Sequence, residues 1–131
     1  VPFTILAALS LTAAAPVPSH ADAVKCAATY AIAATLKVGG SDGLAKIGTQ
    51  WLVHAARSAP KAGVSEGEVA REGRDIVRAM LGAGGMRGWS EAIGVPVSRC
   101  ERLQAGLPPA LRSDIEAAQA RMAQAASARG S

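Results

Sequence analysis

Cys26-Ala-Ala-Thr-Tyr-Ala-Ile-Ala-Ala-Thr-Leu36 is the stretch from which the fold of this chain is read. Its only strongly polar members and neighbours are Lys25, Thr29, Thr35 and Lys37. A helix that is apolar nearly all round belongs inside a bundle. Val38-Gly39-Gly40 then supplies a stop, glycine being suited to the left-handed residue that ends helices. This helix also carries Cys26, and the other cysteine, Cys100, lies far downstream.

Upstream, Phe3 to Ala15 is an almost unbroken apolar run, too short to span a bilayer and suited to the core of a secretory signal. Pro16-Val-Pro-Ser-His20 follows, and Ala21-Asp22-Ala23 has the small-x-small form of a cleavage site. The expectation is a signal peptide over 1–23 and a single α-helical domain over 24–131, with no stable membrane span after signal removal. Localisation is then periplasmic or secreted. In an oxidising compartment an isolated cysteine pair is expected to be a structural disulfide, here Cys26–Cys100.

Asp22 leaves with the signal, so the domain keeps 14 basic and nine acidic side chains, a net charge of +5. No run of five like charges concentrates it. Only Tyr30, Trp51 and Trp89 remain as aromatics, too few for a base-stacking platform. Charge and aromatics together exclude a nucleic-acid partner.

Later helices follow from stripes and caps. Ser41-Asp42 offers an N-cap, and Leu44, Ile47, Trp51, Leu52 and Ala55 form a helical stripe that Pro60 ends. Ser65-Glu-Gly-Glu68 has capping-box spacing and predicts a third helix to about Leu81. Its apolar side carries Val69, Ile76, Val77 and Met80; Gly73 falls in that stripe, and Arg71 and Asp75 are spaced to pair outside. Gly82-Ala-Gly-Gly-Met-Arg-Gly88 predicts a loop and lacks the phosphate-binding glycine and lysine pattern. Trp89–Ile93 forms a short turn, and Ser98-Arg-Cys-Glu101 opens a fourth helix ending near Gly106. Pro108-Pro109 starts the last helix, with Leu111, Ile115, Ala118, Met122 and Ala125 in one narrow stripe and a fraying tail from Ala123. The fold class is all-α, a small four- to five-helix bundle stapled by one disulfide.

No catalytic residue, metal ligand set or cofactor site is assigned. His54, the histidine outside the signal, has no recognisable nucleophile or orienting carboxylate beside it in sequence. Glu66, Glu68 and Glu72 complement the helix dipole rather than form a paired-carboxylate site. Cys26 and Cys100 lack the Cys-x-x-Cys spacing of a redox pair. Trp89 is read first as filling a hydrophobic gap that seals the bundle; otherwise Met86, Arg87 and Trp89 combine apolar bodies with a cation, a composition enriched at protein interfaces, and form a partner-binding patch, the stripe of the last helix being the other candidate surface. The favoured role is non-catalytic binding of an envelope protein, chaperone-like, inhibitor-like or adaptor, in an oligomeric state the sequence leaves open. The alternative is a small envelope enzyme using His54 or a redox-active Cys26/Cys100 pair. In being small, exported and helical with one cysteine pair, the chain is similar to acid-stress chaperones of bacterial envelopes. Its cysteines are much further apart than theirs and no motif aligns, so no functional residue is carried over.

Overall fold

The structure, a computed structural model, describes residues 15–36 and 41–130, with the side chains of 41, 80, 81 and 83–96 left undescribed. Helices α1 (His20–Thr35), α2 (Ser41–Arg57), α3 (Glu66–Leu103) and α4 (Pro109–Gly130) follow in order, with a 3-10 turn at Gln104–Gly106. No strand occurs among the described residues.

Helix α1 is the centre of the bundle. It packs on α2 and α3, while α4 packs on α2. Ala23, Val24, Cys26, Ala27, Ala28, Tyr30, Ile32 and Ala33 are all buried, as its apolar circumference requires. Thr29 is buried too, and its hydroxyl donates to the Lys25 carbonyl at 2.8 Å, which satisfies it within the helix. The expected stripe of α2 faces the core: Leu44, Ile47, Trp51 and Ala55 are buried, with Leu52 half-buried beside them. Trp51 is fully enclosed, and its Nε1–H meets no acceptor among the described residues. Gly48 lets α2 approach α1, since a Cβ there would lie 3.3 Å from Tyr30 Cβ.

Ser65 caps α3 as its spacing predicts, its hydroxyl accepting from the Glu68 amide at 3.1 Å. Three expectations for this region change. Asp75 pairs with Arg78 at 3.6 Å rather than with Arg71. The backbone over 82–88 is helical, not a loop, and no new helix opens at Ser98. Yet α3 is not a straight rod. A Cβ on Gly73 would sit 3.5 Å from Ala28 Cβ, and Cys100 Cα lies 5.7 Å from Cys26 Cα. Cys26 and Ala28 are near neighbours on α1, so Gly73 and Cys100 lie within roughly 18 Å, whereas a straight helix between them would span about 40 Å. The axis therefore turns back between these residues, an interval that holds Gly82, Gly84, Gly85, Gly88, Gly94 and Pro96. Glycine and proline are the usual causes of such bends. The two limbs expected from sequence are present; local helical hydrogen bonding carries through the bend that joins them.

Helix α4 opens at Pro109, with the Pro108 carbonyl accepting from the Arg112 amide at 3.0 Å. Leu111, Ile115 and Ala118 are buried and Met122 packs on the core, so this stripe is spent inside the bundle. Beyond it the helix continues, exposed, to Gly130, where the sequence predicts a frayed tail. Reciprocal amide hydrogen bonds of 3.1 and 3.0 Å join Gln104 to Gln119 and fix α4 against the end of α3.

Candidate functional site

Cys26 and Cys100 form the disulfide that the sequence predicts, joining α1 to the second limb of α3. Both residues are almost wholly buried, 2% and 3% exposed. Exchange chemistry requires an attacking thiolate to reach a sulfur. Burial at this level makes the pair a staple within the core.

His54 is likewise engaged. It is 4% exposed, and its Nε2–H donates to the Pro18 carbonyl at 2.9 Å. The ring holds the segment preceding α1 against α2. No ion pair joins it to a carboxylate among the described residues. Met86, Arg87 and Trp89 lie on the helical backbone of α3, but their side chains are outside the described residues.

The stretch before Val24, assigned by sequence to the leader, carries an unexpected density of contacts. Ser19 caps α1, its hydroxyl accepting from the Asp22 amide at 3.1 Å. His20 Nδ1 donates to the Ala55 carbonyl at 2.7 Å, and Nε2 lies 3.2 Å from Glu72 Oε2. Asp22 pairs with Arg99 at 3.3 Å, next to the disulfide. Ser19-His-Ala-Asp22 ahead of an apolar run has capping-box spacing, a signal in the sequence for this helix start.

Between α1, α2 and α3 lies a hollow of about 160 Å³, open on one side. Ala27, Ala28 and Ala31 form its floor, Leu52 closes it from α2, and Val69, Gly73 and Val77 make the opposite wall. Arg74 is its one charged lining residue among the described residues and is itself exposed. The carboxylates nearest to Arg74 along α3 have partners elsewhere, Glu72 on His20 and Asp75 on Arg78. Arg74 itself enters no ion pair among the described residues. An apolar cavity of about 150 Å³ is large enough for benzene. The hollow thus has room for one six-carbon group beside a guanidinium. No sequence pattern announces it, because alanines on α1 and a glycine on α3 read only as small residues.

Near the bundle centre, the Tyr30 phenol is pushed up to about 12 by burial and, to a lesser degree, by the negative charge of Glu101. No group of three or more His, Cys, Asp or Glu able to hold a metal occurs among the described residues. None of their helices is long and apolar enough to cross a membrane. Comparison with known proteins finds no matching family model, no matching curated protein and no matching solved structure.

Proposed function

We propose that this is a small exported protein of an oxidising compartment, periplasmic or extracellular, with a non-catalytic binding role of the adaptor or chaperone type. The hydrophobic run from Phe3 and the buried disulfide support export. The observation that carries the binding role is the hollow with Arg74 at its rim. Its occupant is one apolar side chain of an envelope protein partner, flanked by a carboxylate that reaches the guanidinium. Size sets the first half of this description and charge complementarity the second. The residues that the enzymatic alternative would use are committed elsewhere: His54 to the Pro18 carbonyl, Cys26 and Cys100 to each other.

The probe is the dipeptide acetyl-Asp-Phe-amide, titrated while the methyl resonances of Ala27, Ala28 and Ala31 are followed by NMR. A contact of this size supports a Kd on the order of 1 mM. Saturable shifts with the acidic dipeptide are expected, with weaker binding of acetyl-Lys-Phe-amide. Arg74→Glu should lower affinity for the acidic probe at least several-fold at an unchanged thermal midpoint. Absence of any saturable shift, or indifference to the charge swap, refutes the reading.

A further inference from the structure

We infer that Pro16–Ala23 is a permanent part of the folded domain and that leader removal falls at the Ala14–Ala15 bond rather than before Val24. The inference rests on the exported reading above and moves its processing site. Ala23 and Val24, on either side of the expected cut, are both 0% exposed. A chain beginning at Val24 would place a new ammonium group inside the core, where an unpaired charge is strongly disfavoured. A chain beginning at Asp22 would set that cation in the first turn of α1, against the positive end of the helix dipole. Either start also discards the Ser19 cap, the His20 bond to the Ala55 carbonyl and the acceptor that satisfies buried His54.

A separate observation comes from the opposite end of the chain. The backbone at Pro16 passes so close to Gly106 that a Cβ there would collide with the Pro16 carbonyl. Gly106 has no left-handed φ that would otherwise demand glycine. The 3-10 turn after α3 is therefore shaped to receive the 16–18 strap, with buried Pro18 next in line.

Upstream, Thr12-Ala13-Ala14 supplies small residues at the positions a signal peptidase reads, after the apolar segment Phe3–Leu11. Water adds across the Ala14–Ala15 peptide bond, giving the Ala14 carboxylate on the leader and the Ala15 ammonium on the domain. That ammonium stands in the exposed segment ahead of the strap.

Two measurements test this. The first is the intact mass of the protein recovered from its native host. A start at Ala15, or at Pro16 beside it, is expected; any start beyond Pro16 overturns the inference. An uncut chain overturns both the cut and the exported reading, whereas an exported chain starting at Asp22 or Val24 overturns this inference alone. The second is Gly106→Ala in that same native-length protein. The collision with Pro16 should lower the thermal midpoint by roughly 5–15 °C. An unchanged or raised midpoint means that the strap is not seated there and overturns the inference too, since alanine at a glycine with ordinary φ is otherwise tolerated or stabilising.

Discussion

Reducing the Cys26–Cys100 disulfide removes no atom from the core, so its effect isolates what the covalent link contributes. The two cysteines are 74 residues apart in sequence. In the chain-entropy model a loop of that length restricts the unfolded ensemble by about 4.5 kcal/mol. Much of the helical content is alanine, which buries little area per residue, so this is a large fraction of the stability expected for one domain. For a domain of this size the loss corresponds to a fall in midpoint of roughly 15–20 °C. The assay is urea unfolding followed by circular dichroism, comparing the oxidised protein with the same protein held in a phosphine reductant. The midpoint should fall, and the denaturant slope should rise as the unfolded chain expands. Amide exchange should rise first in the second limb of α3, because the bridge ties Cys100 to α1 and the fold-back leaves that limb no other covalent restraint. A difference below about 1.5 kcal/mol would refute the reasoning, because it would mean that the reduced unfolded chain is already held compact. Replacing both cysteines by alanine should reproduce the reduced value with a small additional cost for the lost sulfurs.

Two further outcomes follow from the packing around α1. Gly73→Ala places a methyl at an ordinary 3.5 Å from Ala28 Cβ and gains helix propensity, so it should raise stability by about 1 kcal/mol. The same methyl narrows the hollow, so affinity for the acidic dipeptide should fall; a stabilised protein with unchanged affinity would locate binding elsewhere. Tyr30 predicts a loss of stability in alkali. Its folded value is raised above the ordinary phenol value, so its contribution is complete below about pH 10 and is lost as pH rises toward about 12. Phenolate absorbance should appear only in that window and together with unfolding; ionisation near pH 10 in a folded protein would contradict the burial.

Most of the helical framework was legible in the sequence, and the particular residues show why. The Ser65 cap, the stop near Pro60, the start at Pro109 and the stripe from Leu44 to Ala55 are each written within a few residues, because helical hydrogen bonds and side-chain neighbours lie three or four positions apart. The all-round apolar character of 26–36 placed α1 at the centre, and with only two cysteines the disulfide had one possible pairing. The local rules also misled. A run rich in glycine reads as a loop, but over 82–88 the backbone keeps helical bonding while the axis turns back, a compromise set by α3 meeting α1 at both Gly73 and Cys100.

The candidate site lay beyond such rules. Ala28, Leu52 and Gly73 are unremarkable until three helices bring them round one hollow, and Arg74 gains meaning only because its neighbours' charges are already paired. His54 offered no partner in sequence; its acceptor, Pro18, is 36 residues away and was assigned to the leader. What the sequence determined by itself were the elements whose physics is local: helix positions, caps, a central helix and a single disulfide. The tertiary structure alone decided that Pro18, His20 and Asp22 contact the bundle, how α3 doubles back and where an apolar group could be held, because each depends on contacts between residues that only packing brings together.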